Sequence, residues 1–340
     1  MLKNLNIISN EKISTYKNDF YCDNIDFKSI PEGLKKDFEI NLFARSSVGK
    51  KSHNVKVNSI ILASNIFAFI NNIIKALKNE NSKYLIISIT PYTFLACCLL
   101  ILFKKKPFVY LRSSGEEEYR HILGYFGKFI YYLMFYLVAP GSKFISVNSR
   151  ILLGKKGNIV SPSQLNEIWF TPFKKNKLDK VKLLYVGRIK VEKGIFSLLK
   201  IIKSLNLEIE LTILPAGKTN IKFDDQKNIK VLNFENKNNS IIEVYDNHNI
   251  FILPSYTEGH PQVLDEALAR GKPVIIFEEI RHVIGDRKGV FVSKRKPKYL
   301  KESINYIINN YESIQTKMIE NKLPNKKIFL EEIKKIINTF

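Results

Sequence analysis

Short apolar runs alternate with helix-like stretches, twice over, and this constrains the chain more than any other feature. In the first half, Leu5–Ile8, Phe38–Phe43, Tyr84–Ile89, Phe108–Leu111 and Phe144–Val147 read as strands. Residues 60–78, Tyr92–Phe103 and 119–138 read as helices. A second series starts near residue 181. Lys182–Gly187, Glu208–Leu214, Ile229–Phe234, Asn249–Ser255, Lys272–Phe277 and Gly289–Val292 read as strands, with helices at Gly194–Leu205 and Val263–Arg270. Strands that alternate with helices are joined by crossovers, and crossovers give parallel sheets. The expected fold class is α/β, with two Rossmann-like doubly wound domains whose strand ends face one cleft.

Thr171–Lys180 is polar, basic and marked by Pro172, as an interdomain linker would be. The expected division is a first domain over 1–170, a linker over 171–180 and a second domain over 181–322. The last part, 323–340, holds an amphipathic helix after Pro324. Its apolar stripe (Ile328, Phe329, Ile333, Ile336, Ile337) needs a surface to pack on, and the first domain is the expected one.

Length and composition exclude several classes. A chain of 340 residues that is 45% hydrophobic and 25% charged has material for two cores, so bulk disorder is excluded. No run of 18 uncharged apolar residues predicts a membrane span, and the N-terminus lacks a secretory h-region. Three cysteines form no disulfide framework, and no Cys/His cluster has zinc spacing, which fits a reducing cytoplasm. The net charge of +22 first suggests nucleic acid. However, the cations are 45 Lys against 9 Arg, and each half of the chain carries +11. A nucleic-acid arm would concentrate charge and favour the bidentate guanidinium. Nucleic acid is therefore not an expected partner. The abundance of Lys, Asn and Ile reads first as the product of an AT-rich genome, with attraction to anionic substrates or membrane as the alternative.

Two segments carry chemistry. The first runs Tyr185-Val186-Gly187-Arg188 to Lys193-Gly194. A strand ends at Gly187 and a helix follows Gly194, so backbone N–H groups and two cations bracket a spot suited to a phosphate or diphosphate. It is neither a Walker loop nor a G-x-G-x-x-G turn. The second runs from Pro254 to Ala267, with Glu258 in a loop and Glu266 about a turn into the next helix. Two carboxylates at one strand-to-helix junction can share the gripping of hydroxyls, one on a ribose diol and one on a sugar.

Together these segments resemble the retaining GT-B glycosyltransferases of glycosyltransferase family 4. That family has a G-R-x-x-x-x-K-G-like loop, matched by Gly187-Arg188 and Lys193-Gly194. It also has the frame P-S-x-x-E-G-x-P-x-x-x-x-E-A, matched from Pro254 to Ala267. The resemblance is strong over 181–292 and only topological over 1–170. It implies transfer from a nucleotide-sugar, UDP-sugar first and GDP-sugar second, to a lipid-linked or saccharide acceptor in bacterial surface polysaccharide assembly. The implied activity is of the hexosyltransferase type, with no metal and no cofactor. By resemblance, Arg188 and Lys193 hold the donor diphosphate and neutralise the leaving group, Glu258 contacts the donor sugar, and Glu266 binds the ribose. Gly187, Gly259, His260, Pro261, Val263 and Leu264 complete the donor site, largely through backbone. A catalytically inactive scaffold of the same fold is the alternative.

The chain departs from the family in its first domain. Ser9-Asn10-Glu11 carries no glycine pair, although Gly49 lies in a later loop, and Arg112 stands where a histidine is common. Gly49 and Arg112 are the acceptor-side candidates. After Phe277 the segment Glu278-Glu279-Ile280-Arg281-His282 replaces the family's glycine pair. Lys218 and Thr219 receive no role. The aromatic stretch Tyr119–Val138 reads either as a buried core helix or as an interfacial one touching anionic membrane. The expected location is cytoplasmic, including peripheral attachment at the cytoplasmic face of the inner membrane.

Overall fold

The computed structural model describes residues 2–49, 51–79, 81–172, 180–205, 207–216, 228–232 and 241–339. The chain divides into two compact units, Met1–Gln164 with Lys326–Phe340, and Leu165–Asn325. Each has its own apolar core.

The first unit begins with β1 (Lys3–Tyr16), β2 (Asp19–Cys22), α1 (Ile25–Leu34), β3 (Phe38–Ser47), β4 (His53–Val55) and β5 (Ser59–Ala63). It continues with α2 (Ile66–Leu77), β6 (Lys83–Ile87), α3 (Pro91–Leu102), β7 (Phe108–Leu111), α4 (Gly115–Val138), β8 (Lys143–Ser146) and β9 (Gly157–Ile159). Parallel pairing runs β5-β3-β1-β6-β7-β8-β9. The order reverses between β1 and β6, as in doubly wound sheets. Past a bulge between Ile8 and Lys12, β1 continues and pairs antiparallel with β2, which pairs with β4.

Several sequence expectations change here. The strand expected at Leu5–Ile8 is a fourteen-residue strand, because its second half gains a β2 partner. Residues 60–78 are not one helix. Their first part is β5, paired with β3, and α2 starts only at Ile66, where the Asn65 side chain caps Ala68 N at 2.9 Å. The helix expected from Tyr119 starts at Gly115 under the Ser114 cap and breaks at Gly124, whose φ is 66°. That left-handed value suits glycine.

The second unit comprises β10 (Val181–Gly187), α5 (Ile195–Lys203), β11 (Ile209–Pro215), β12 (Ile229–Val231), α6 (Ile241–Asp246), β13 (Ile250–Leu253) and α7 (Gln262–Ala269). It ends with β14 (Val274–Phe277), β15 (Val290–Ser293), α8 (Pro297–Asn309) and α9 (Tyr311–Met318). Among the described residues its strands form one parallel sheet ordered β12-β11-β10-β13-β14-β15. The strands read as continuous apolar runs because both faces are covered by helices. Ile250, Phe251 and Ile252 are all fully buried. Lys218 and Thr219 lie outside the described residues.

The division falls at Gln164/Leu165, earlier than the expected end of the first domain at 170. Leu165 and Trp169 are buried in the second core, and Trp169 packs edge-on to Tyr245 at 5.5 Å. Arg270 is 2% exposed and fixes this entry to the unit. It donates to Trp169 O at 3.1 Å and Thr171 O at 2.8 Å, while Asp246 takes its Nε and Nη2 at 2.8 and 2.7 Å. Most of the segment read as the linker lies outside the described residues.

The last helix, α10 (Lys326–Asn338), belongs to the first unit and packs against α1. It buries Phe329, Ile333 and Ile337, each side chain contributing about 1.5–3 kcal/mol. Ile328, expected in the same stripe, is 52% exposed, because it sits one position off that face.

Lys272 is 1% exposed, and burial holds its amine down at about 8, opposed by the nearby Asp246 carboxylate. A folded-state value below the unfolded one means that the unfolded chain holds the extra proton between about 8 and 10.5. Stability therefore rises with pH across that window. The cost of keeping this lysine charged at pH 7 is on the order of 3 kcal/mol. Lys272→Met is expected to raise the denaturation midpoint at pH 7, and the gain should shrink by pH 10. Urea titrations of both proteins at the two pH values check this, and a pH-independent difference would contradict it.

Candidate functional site

In the second unit the strand order reverses between β10 and β13, which pair in parallel through Leu183↔Ile250 and Leu184↔Phe251. Loops leaving neighbouring strands at such a reversal part to opposite faces of the sheet, so a ligand site opens at their carboxyl ends. Both chemistry-bearing segments leave from this point. The first leaves the end of β10 at Gly187, and the second leaves β13 at Pro254.

Glycine is required where the two segments touch. Gly194 has φ +67°, and a Cβ there would lie 1.9 Å from Pro254 O. The backbones are further joined by Tyr256 N donating to Glu192 O at 2.9 Å. Beneath them the buried Tyr185 sends its hydroxyl to Arg188 O at 2.8 Å, which fixes the turn after the strand.

This contact brings Lys193 and Glu258 together. Lys193 Nζ lies 2.6 Å from Glu258 Oε1, and Ser255 Oγ donates to the same oxygen at 2.6 Å. The lysine side chain is 19% exposed and the carboxylate 12%, so the pair is well screened from water yet reachable from it. Arg188 is exposed and has no ion pair among the described residues. The structure therefore gathers Gly187, Arg188, Lys193 and Glu258 at one place. It also shows the lysine and glutamate, assigned separate roles by resemblance, neutralising each other.

Glu266 sits on α7 and accepts a 2.7 Å hydrogen bond from the buried Tyr245 hydroxyl of α6. That bond sets the rotamer of a half-buried carboxylate. Pro261 is the N-cap of α7, which has no side-chain cap, so the positive end of this helix opens at the Glu258 loop. Leu264 is a core side chain and can serve a site only through its backbone. Val263 is half-buried, and its carbonyl accepts from Tyr245 at 3.5 Å.

His260 lies off the expected backbone role. Its Nε2 is 3.2 Å from Asp265 Oδ2, and Arg287 grips Asp265 at 2.6 and 3.0 Å. Burial pushes the Asp265 carboxyl up, but the His260 and Arg287 contacts outweigh it and hold the group below its ordinary value. This ties the loop residue His260 to α7. The segment that replaces the family's glycine pair supports the same loop. His282 Nε2 donates to Glu258 O at 2.8 Å, and Glu279 holds Arg295 at 2.7 Å. Arg295 in turn donates to Pro254 O at 2.9 Å and Ser255 O at 3.3 Å, and stacks 4.1 Å from the Tyr256 ring. Sequence reasoning missed Tyr185, Tyr245, Asp265, Arg287 and Arg295. Tyr245, Arg287 and Arg295 come from other elements, while Tyr185 and Asp265 lie inside the two quoted segments but were given no role.

In the first unit, Arg112 follows β7, and its Nε is buried without a hydrogen bond among the described residues. It influences Glu11, at the bulge of β1. Burial raises the Glu11 carboxyl, and the charges of Arg112 and then Lys51 oppose the rise. Lys51 pairs with Asp23 at 2.6 Å. Gly49 lies apart, in the exposed turn between β3 and β4 with φ +96°.

Gly194→Ala is expected to force the two loops apart and to cost about 2 kcal/mol or more, since neither φ nor the Pro254 carbonyl can yield cheaply. Denaturant melts of the variant check this. A change within a few tenths of a kcal/mol would contradict the packing described.

Residues 167–323 match the family described as glycosyl transferases group 1. A capsular polysaccharide biosynthesis glycosyltransferase, CapM, of Staphylococcus aureus is 30% identical over 223 residues, which is 57% of this chain and 58% of that protein. An uncharacterized glycosyltransferase of Haemophilus influenzae is 27% identical over 199 residues, 53% of this chain and 54% of that protein. The chain thus spans a little over half the length of these curated relatives. Two solved structures share the fold. Sucrose-phosphate synthase from Thermosynechococcus elongatus aligns at TM-score 0.70 and 13% identity, over 99% of this chain and 98% of its own. The Anabaena protein Alr3699/HepE, solved with UDP and glucose, aligns at TM-score 0.70 and 10% identity, over 99% of this chain and all of its own. The α/β fold with parallel sheets is thus that of GT-B glycosyltransferases.

Proposed function

We propose that this chain, whose residues 167–323 match glycosyl transferases group 1, moves a sugar from a nucleotide-sugar to a lipid-linked or saccharide acceptor in bacterial surface polysaccharide assembly. The reading is of a retaining, metal-independent hexosyltransferase. It rests first on one observation, the junction of Arg188, the Lys193–Glu258 pair and Glu266 at the strand-order reversal. The S. aureus relative supports the polysaccharide context. The UDP and glucose bound to the Anabaena protein support a UDP-sugar as donor, with a GDP-sugar second.

In the reaction the bond between the sugar's anomeric carbon and the diphosphate breaks. The acceptor oxygen bonds that carbon, its proton is released, and the nucleoside diphosphate leaves with added negative charge. Cations placed where that charge appears lower the barrier, and fixed ones need no reorganisation. Arg188 is exposed at the end of β10 and can meet the outer phosphate oxygens. Lys193 would leave Glu258 for the diphosphate, and the freed carboxylate would then accept hydrogen bonds from sugar hydroxyls. Ser255 stays bonded to Glu258 and keeps it from turning away. Glu266, oriented by Tyr245, would hold the ribose diol. The N-terminal end of α7 adds its dipole on the phosphate side.

On the first unit, Arg112 and Gly49 are assigned to the acceptor. Arg112 is the stronger of the two, since its buried Nε and its neighbour Glu11 form a polar group at the strand ends.

The test is a thermal-shift panel with UDP, GDP, ADP, CDP and dTDP, each in EDTA. One nucleotide, UDP first, is expected to raise the melting temperature by mass action. Glu258→Gln, whose side-chain oxygen still accepts from Lys193, should cut turnover of the matching nucleotide-sugar about 100-fold, with circular dichroism checking that the less stable variant remains folded. No shift with any nucleotide, or full turnover in Glu258→Gln, would overturn the reading.

A further inference from the structure

Helix α4 is apolar on two opposite faces. One face carries Tyr131, Met134, Phe135 and Val138, all buried in the first core. On the other, past the break at Gly124, Phe126, Phe129, Leu133 and Leu137 follow one another at steps of three and four residues. All are more than half exposed, with Phe126 at 68%. A water-facing helix surface is normally polar, and a contiguous exposed apolar stripe marks a surface that meets something other than water.

The neighbouring helix extends the patch. α3 packs against α4, and its Ile101 lies under Gly141 just past the end of α4. The residues that follow on α3 and its end, Leu102 and Phe103, are 75% and 53% exposed.

The rim of the patch is basic and aromatic. Lys104 and Lys106 are exposed directly after Phe103, and Lys155 lies 5.3 Å over the Tyr136 ring, beside the exposed Lys156. Arg120 lies 5.1 Å over the Tyr125 ring, itself 78% exposed. The acidic start of α4 opposes this charge little, since Glu116 is paired with Lys128 and Glu117 with Arg150, and the exposed Glu118 accepts from Ser113 Oγ. Tyrosine rings and lysine amines on apolar stems suit the layer between lipid tails and water.

By length and composition Gly115–Gly141 could cross a membrane, although the sequence had predicted no span. Crossing would strip Tyr131 and Phe135 from the sheet they cover, and the chain breaks direction at Gly124. A helix with one face in the protein and the other apolar lies along a surface instead.

We propose that the exposed face of α4, with Leu102 and Phe103, docks in the plane of an anionic phospholipid bilayer. Aromatic and aliphatic side chains enter the headgroup region, and the lysine rim meets the lipid phosphates. The inference rests on the first unit alone and stands whether or not the sugar-transfer reading does.

Vesicle flotation of the full chain tests it. Binding is expected to vesicles of phosphatidylcholine with phosphatidylglycerol and to be at least about tenfold weaker with phosphatidylcholine alone, the basic rim losing its counter-charge. Phe126→Ser with Phe129→Ser should reduce partitioning about tenfold or more with an unchanged melting temperature, since both side chains face outward. Lys104→Gln with Lys106→Gln should weaken binding in low salt and change little near 1 M salt, where the Debye length is about 3 Å. Failure of the wild-type chain to float with anionic vesicles would overturn the proposal, as would serine variants that bind like the wild type. A dimer in light scattering that the serine variants dissociate, without vesicle binding by either, would overturn it in favour of a second copy of this chain.

Discussion

The parallel pairing of β10 with β13 is the constraint from which the site follows. These strands are neighbours in the sheet although β11 and β12 lie between them in sequence, so the order reverses there. Their loops must leave to opposite faces, and the carboxyl ends stay open between them. The pairing is held by a fully buried apolar core on both sides, where no polar competitor can shift the register. With the register fixed, Gly194 meets the Pro254 carbonyl and Lys193 falls within reach of Glu258.

The electrostatics follow from that closeness. A lysine and a glutamate at 2.6 Å, both mostly buried, attract strongly because the local dielectric is below that of water. Removing either partner alone leaves a charge in a poorly solvated place, which costs several kcal/mol. In the proposed reading a diphosphate replaces the carboxylate on Lys193 and leaves Glu258 held by Ser255, and the hydroxyls of a donor sugar would then complete its hydrogen bonds. The surrounding bonds, from Ser255, His282 and Arg295, keep the loop in place while the lysine changes partner.

Much of this was legible in the sequence because the second unit is buried on both sheet faces. Apolar runs bounded by glycine and proline located β10, β11, β13 and β14 to within a residue or two. The motif residues Gly187, Arg188, Lys193 and Glu258 stand at strand and helix ends and Glu266 one turn into α7, where local spacing carries information. The first unit was harder to read. β5 was hidden inside an apparent helical period, and β2 and β4 are short strands, β4 at the edge, whose pairing is decided by distant partners. The supporting residues were not legible at all. Tyr245, Arg287 and Arg295 reach the site from other elements, and only tertiary packing shows that they do. Periodicity could not choose between the two readings of the aromatic helix, because one of its faces is core and the other is exposed while both are apolar.

The central claim is that the Lys193–Glu258 pair opens to take a diphosphate. Calorimetry comparing UDP with UMP in EDTA addresses it most directly, on the wild type and on Lys193→Met. The account predicts that the second phosphate adds at least about tenfold in affinity, or roughly 1.4 kcal/mol, and that Lys193→Met removes this increment while UMP binding persists. Equal affinities for UDP and UMP in the wild type, or an increment that survives in Lys193→Met, would contradict it.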